Sequence, residues 1–164
     1  MKLGDVCTFQ NGYAFKSQEF LANGKYRIIK IKEIKDGEIR FFADSASIDD
    51  YAENQKQFIV NQGDVIFALT GDPVNKSNPL SWVGRVSRYN HTKIAFLNQR
   101  VCKAIVDEAR LDKDYLYYYF RVFENFFALA QKATGSANQA NISTKTIAYV
   151  EIDLPPIVNQ VEIG

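Results

Sequence analysis

The side chains that most often do chemistry are sparse in this sequence and poorly placed for it. The one histidine, His91, stands between Asn90 and Thr92 in a polar turn, with no thiol or carboxylate at ligand spacing. A metal centre needs such neighbours, so His91 reads as a surface residue. Cys7 and Cys102, the two cysteines, lie far apart and fit neither a disulfide framework nor a zinc spacing. They read as reduced thiols, the state expected in the cytoplasm. No glycine-rich phosphate loop occurs. Gly135-Ser136-Ala137 is not the Gly-x-Ser-x-Gly elbow of a serine nucleophile. Asn78-Pro79-Leu80-Ser81 lacks the second proline and the aromatic residue of an amino-methyltransferase loop, and no cofactor-binding glycines precede it. The pairs Asp49-Asp50 and Asp112 with Asp114 sit at expected helix starts, where negative charge complements the helix dipole. Neither a catalytic centre nor a cofactor or metal is expected.

A different chemistry is better supplied. Three segments hold more amide, hydroxyl and glycine than packing requires: Asn11 to Ser17, Asn98-Gln99-Arg100, and Thr134 to Ser143. The third carries no charge at all. Side chains of these types hydrogen-bond phosphates, and Asn or Gln pairs bidentately with adenine. Backbone N–H groups at the start of a helix capped by Ser143 would add a phosphate seat. The same residues would equally serve as a plain interhelical loop with its caps.

The charge pattern points the same way. Net charge is only +1, against a histone-like or tail-type nucleic-acid binder. Yet no acidic residue occurs from Pro73 to Val106, a stretch that carries Lys76, Arg85, Arg88, Lys93, Arg100 and Lys103. From Asn125 to Val150 the only charges are Lys132 and Lys145. Acids gather elsewhere, at Asp44 to Glu53 and Asp107 to Asp114. Such segregation gives one face a positive potential while the whole stays neutral.

The elements that must position these residues follow from periodicity. Tyr26 to Ile34 alternates, with Ile29 and Ile31 on one face and Lys30 and Lys32 on the other, as a strand does. Asp36-Gly37 turns the chain into a returning strand at Glu38 to Phe42. Further strands are expected at Val65 to Leu69, Trp82 to Tyr89, Ile94 to Phe96, Arg100 to Val106 and Val150 to Leu154. From Asp112 to Ala133 the apolar spacing becomes three or four, which is helical. Asp112 is placed to cap that helix, Gly135 to end it, and Ser143 to cap a short helix through Ala148. Strands followed by helices predict an α+β fold. We expect a single globular domain with a twisted mixed or antiparallel sheet and packed C-terminal helices.

Length and composition bound the rest. The chain has 164 residues, 46% hydrophobic and 24% charged, a globular balance sufficient for one core. No apolar run reaches the ~20 residues of a membrane span. The start of the chain has no apolar signal region, so a cytoplasmic location is expected.

Taken together, the motifs resemble the target recognition domain of type I restriction-modification DNA specificity subunits. The matching pieces begin with Leu3-Gly4-Asp5-Val6 and Asn11-Gly12-Tyr13-Ala14-Phe15-Lys16-Ser17, then Gly63-Asp64-Val65-Ile66 with Leu69-Thr70-Gly71. They continue through Gly84-Arg85-Val86, Leu97-Asn98-Gln99-Arg100-Val101 and Leu116-Tyr117-Tyr118-Tyr119. They close with Ala133-Thr134-Gly135-Ser136, Asn141-Ile142-Ser143, and Ile152-Asp153-Leu154-Pro155-Pro156 followed by Gln160. Their order over nearly the whole chain is what makes the set specific.

The resemblance implies a non-catalytic, cofactor-free domain that reads one half of a split target on double-stranded DNA. In this family two such domains stand on long helices that dock modification subunits, and restriction subunits bind that core. Residues 1–156 would be the recognition domain and 157–164 the truncated start of the spacer helix. On this reading Lys16, Lys30, Lys32, Arg85, Arg88 and Lys145 hold phosphates. Base readout falls to the Val74 to Ser81 loop, the tip near Ala43 to Ser47 and the Gly135 to Asn141 loop. The expected DNA-binding set also includes Ser17, Thr70, Lys76, Asn98, Arg100, Ser136, Asn138, Gln139 and Asn141. The alternative is a degenerate or half-subunit adaptor that binds a methyltransferase subunit without reading DNA.

Overall fold

The structure is a computed structural model that describes residues 1–163, with side chains through Val161. In chain order the strands are β1 (Cys7–Asn11), β2 (Tyr26–Ile29), β3 (Ile34–Lys35), β4 (Glu38–Ile39), β5 (Ser47–Ile48), β6 (Ile59–Val60) and β7 (Val65–Ala68). They continue as β8 (Thr70–Gly71), β9 (Val86–Arg88), β10 (Ala95–Leu97), β11 (Val101–Val106), β12 (Thr134–Gly135) and β13 (Ala140–Asn141). The helices are α1 (Lys113–Arg121), α2 (Phe123–Ala130), α3 (Thr144–Ala148) and α4 (Ile157–Ile163).

Three sheets form. The largest runs β1-β11-β7-β9-β4-β3, a second β5-β2-β10-β6, and a small third β12-β13-β8. Both larger sheets are mixed, since β4 pairs parallel with β9 and β10 parallel with β2. β7 lies inside the largest sheet and is buried at all four positions, which is why Val65-Ile66-Phe67-Ala68 reads as an unbroken apolar run. One core lies between that sheet and the helices, where Phe67 meets Phe120 edge to face with ring centroids 5.4 Å apart. A second joins the two larger sheets through Ile29, Val60, Ile66 and Leu97. The expected α+β class holds, with several sheets in place of one.

Local departures have identifiable causes. Tyr26 to Ile34 is not one strand, because a 3-10 turn at Ile31–Glu33 breaks it. There Glu33 turns inward and its carboxylate accepts the Lys30 N–H at 2.9 Å. The returning strand is only β4, two residues long. The 112–133 helix splits at Val122, whose backbone is extended. Asn125 Nδ2 donates to the freed Tyr119 carbonyl at 2.9 Å, and α2 swings so that Phe123, Phe126 and Phe127 surround Trp82. Gly135 does not end a helix; it sits in β12 with φ at 137°. Val150 to Leu154 makes a single bridge, Lys2 to Glu151, because its partner segment turns into a 3-10 helix at Leu3–Asp5. Two caps form as expected: Asp112 accepts from the Tyr115 N–H at 3.0 Å and Ser143 from Thr146 at 3.1 Å.

Candidate nucleic-acid interface

The three polar segments meet. The Asn98–Arg100 turn links the other two, and on one side of it lies Leu69, where the chain bends between β7 and β8. The Leu69 N–H donates to the Arg100 carbonyl and its own carbonyl accepts from Ile142, each at 2.9 Å. On the far side of the Asn98–Arg100 turn, Gly12 N–H donates to the Val101 carbonyl at 3.1 Å and Tyr13 N–H to that of Leu97 at 3.0 Å. Residues 11–13, 98–100 and 141–142 are thus tied by the main chain, though almost ninety residues separate the first two in sequence. The closeness explains one glycine. A Cβ on Gly12 would lie 1.7 Å from the Asn98 carbonyl oxygen, so no other residue fits without moving a strand.

Asn98 shapes the turn from inside. It is 7% exposed, and its Oδ1 accepts the Gln99 N–H at 2.7 Å. Gln99 and Arg100 occupy the exposed tip. The Thr134–Ser143 segment, expected as a loop, is a hairpin of β12 and β13 laid against β8. Gly135 is obligatory there, since a Cβ would meet the Gln139 carbonyl oxygen at 2.4 Å. Ser136 Oγ accepts the N–H groups of Asn138 and Gln139 at 3.2 Å, which rounds the tip. Asn138 Oδ1 accepts from Lys76 Nζ at 3.3 Å, joining the hairpin to the loop before Trp82. Beneath, the Thr70 hydroxyl donates to Asn141 Oδ1 at 2.9 Å.

The cations divide into two groups. Lys16, Arg100 and Lys145 are exposed and make no side-chain bond among the described residues; Ser17, beside Lys16, is exposed too. Lys76 is exposed with only its link to Asn138. The others are occupied within the fold. Arg85 sends Nη2 to the Ile31 carbonyl at 2.8 Å and Nη1 to those of Ser81 and Trp82, while its Nε is buried without a partner. Burial holds its pKa below the usual arginine range, against the pull of Asp72. Arg88 pairs with Asp114 at 3.0 Å and lies 4.6 Å from the Tyr117 ring. Lys32 pairs with Asp44 at 3.1 Å, and Lys30 caps the Phe20 ring at 4.7 Å.

Gln99 is the exposed residue that residue-type reasoning passed over in favour of Asn98. The available signal was the tight turn itself, in which the first Asn faces in and the next two residues face out. Tyr13 is a second: it is 37% exposed and braced at 4.9 Å by Phe15 and 5.2 Å by Phe58. Among the described residues no cluster of His, Cys, Asp or Glu is arranged to hold a metal, and no helix is long and apolar enough to cross a membrane.

An α+β body with amide-rich turns and exposed cations has the form of a binding module. The chain belongs to the family described as the type I restriction modification DNA specificity domain, which matches residues 1–164. It is 27% identical over 160 residues to the type I restriction enzyme MjaVIII specificity subunit of Methanocaldococcus jannaschii. It is 26% identical over 162 residues to the EcoBI specificity subunit of Escherichia coli. Each match covers 98% of this chain but only 36% and 29% of those subunits, so the chain spans about a third of their length. The fold is shared with the HsdS subunit from Thermoanaerobacter tengcongensis, with a TM-score of 0.67 at 18% identity over 99% of this chain and 34% of that one. The type I restriction-modification system S subunit from M. genitalium aligns with a TM-score of 0.59 at 16% identity, over 92% of this chain and 32% of that one.

Proposed function

We propose that this domain reads one half of a bipartite DNA target for a type I restriction-modification enzyme. The observation that carries the reading is the main-chain linkage of residues 11–13 to the 97–101 turn and of that turn, through Leu69, to residue 142. Packing does not require polar residues from three distant segments to share one surface. A base-reading face does, because base edges are distinguished by donors and acceptors held in fixed places. Lys16, Lys76, Arg100 and Lys145 hold phosphates; Ser17, Ser136, Asn138, Gln139 and Asn141 are the hydrogen-bonding groups nearest the bases. Arg85, Arg88, Lys30 and Lys32, engaged within the fold, shape the body that presents them.

Residues 1–156 form the recognition body in this proposal, and α4 is the first part of the helix that spaces it from a second reader. Modification and restriction subunits assemble on that spacer. One domain that contacts a few base pairs binds weakly. Two on a rigid spacer raise each other's effective concentration, so a weak half-reader suffices.

The test is fluorescence anisotropy of this chain with a random-sequence duplex over a salt series. Affinity should fall by about 0.9 log units per log unit of salt for each phosphate neutralised. Lys16→Ala, Arg100→Ala and Lys145→Ala should each flatten that slope by about one contact. Absence of duplex binding at low salt, with tight binding to a modification subunit, would establish the adaptor role instead.

A further inference from the structure

We infer that Trp82 is a positioning residue for the DNA contact: its indole N–H sets the 73–81 loop so that Lys76 reaches a phosphate beside the Thr134–Ser143 hairpin. The inference rests on the DNA-reading function proposed above and names the device that aims one of its cations.

The loop is polar, and every residue from Asn75 to Asn78 is exposed. Its neck is closed. The Asp72 N–H donates to the Ser81 carbonyl and the Val83 N–H to that of Asp72, each at 2.9 Å. Arg85 holds the same neck through the carbonyls of Ser81 and Trp82. A 3-10 turn at Pro79–Ser81, capped by Asn78, orders the returning limb. The outgoing limb has less support. Its Lys76 N–H donates to the Pro73 carbonyl at 3.0 Å, which only turns the chain. Its Lys76 carbonyl accepts the indole N–H of Trp82 at 2.9 Å. Among the described residues that is the main-chain group by which this limb is tied to the body.

Trp82 is a firm post for such a tie. It is 6% exposed, with the rings of Phe123, Phe126 and Phe127 at centroid distances of 5.8 to 6.0 Å. A buried indole brings a large apolar body and a single N–H that must find an acceptor. The break at Val122 therefore has a use, since it brings α2 to the ring that holds the loop. Trp82 and Lys76 both lie between the motifs that end at Gly71 and resume at Gly84, so the arrangement belongs to this chain's own sequence.

The outcome is seen at the end of the Lys76 side chain. Nζ donates to Asn138 Oδ1 at 3.3 Å, on the tip of the hairpin. An ammonium has three donors, so two remain for a phosphate oxygen. Asn138 is neutral and leaves the positive charge uncompensated, whereas Lys32 and Arg88 are each paired with an aspartate. A loop held in place before binding loses less freedom on contact than a loose one, so the contact is stronger.

The chain has a single tryptophan. Exchanging it for its benzothiophene analogue keeps the ring system and replaces the N–H by sulfur, which removes this donor alone. Fluorescence anisotropy with a random-sequence duplex over a salt series reads the effect. Lys76→Ala should flatten the salt dependence of the normal chain by one contact, about an eightfold smaller loss of affinity per tenfold rise in salt. The benzothiophene chain should show the same flattening with Lys76 still present. Adding Lys76→Ala to it should flatten the slope no further. Arg100→Ala should still remove one contact from it, because that turn does not depend on Trp82. Trp82→Phe should behave as the benzothiophene chain does; if it fails to fold, the analogue decides. A merely structural indole would lower the Tm of the benzothiophene chain and leave its slope, and its response to Lys76→Ala, as in the normal chain. That result overturns the inference, as does a normal chain whose slope is indifferent to Lys76→Ala. Wild-type binding separates the two levels. Its absence at low salt removes the DNA-reading function and this role with it; its presence with either overturning result removes only the role of Trp82.

Discussion

Gln160 and Asp112 are joined side chain to main chain: Oε1 of Gln160 accepts the Asp112 N–H at 2.9 Å. The same side chain donates through Nε2 to the carbonyls of Arg110 and Pro155, each at 2.8 Å. Gln160 is fully buried, so these bonds face no competition from water. One amide thereby fastens α4 to the segment that begins α1.

Replacing Gln160 with Leu should cost about 1–3 kcal/mol, since three main-chain groups lose their partner. Urea unfolding measures the loss, and faster hydrogen exchange at the Asp112 amide locates it. A variant as stable as the wild type, with Asp112 equally protected, would show that the clasp contributes nothing.

Arg85 is expected to act on stability and not on DNA. Lysine is a single point charge on a flexible stem and cannot bond three carbonyls in the guanidinium's fixed fork. Arg85→Lys should lower unfolding free energy by about 1–3 kcal/mol. Duplex affinity at constant salt should stay within twofold of the wild type, by the anisotropy assay above. A fall in affinity without loss of stability would return Arg85 to the DNA face.

Glu33 gives stability a defined pH dependence. Burial raises its carboxyl pKa above the usual 4.5, against the lowering effects of hydrogen bonds from the Lys30 N–H and Ser45 and of nearby lysines. The folded state therefore binds this proton more tightly than the unfolded chain does. Its contribution declines as pH rises from the unfolded value through the folded one, then levels off. Glu33→Gln removes that decline. The Tm of the variant relative to wild type should climb as pH rises from the usual carboxyl value of 4.5 through the raised one; a flat or falling difference would contradict the shift.

The two thiols should be silent in the folded protein. Burial pushes Cys7 up to about 12 and Cys102 higher still, so the reactive thiolate is scarce at neutral pH. A thiol-reactive chromophore should label neither residue under native conditions and both in guanidinium. Rapid native labelling would mean that the sheet between β1 and β11 opens readily.

Much of this was legible in the sequence where local chemistry decides the outcome. Asp112 and Ser143 cap as their types require, and the apolar run at Val65–Ala68 is the buried strand it resembles. What failed to show was set by distant partners. Nothing local reveals that Glu33 will turn inward toward Ser45, or that Arg85 will find the Ile31 carbonyl. The Thr134–Ser143 hairpin has too little strand propensity to declare itself and forms because β8 offers an edge. Of the candidate site, residue type picked out the three segments. It could not separate Asn98, which faces in, from Gln99, which faces out.

β1 has β11 as its sole neighbour in the largest sheet, with Cys7 opposite Val106. A ribosome therefore releases the first strand long before it makes the second. At about 5–20 residues per second, that interval lasts on the order of 5–20 s. Throughout it the emerging chain carries an unsatisfied strand, and the closing of so large a loop must precede any gain from the pairing. Formation of the largest sheet consequently waits for β11 to be made, and the nascent chain's early strand is the natural point of attention for holding chaperones.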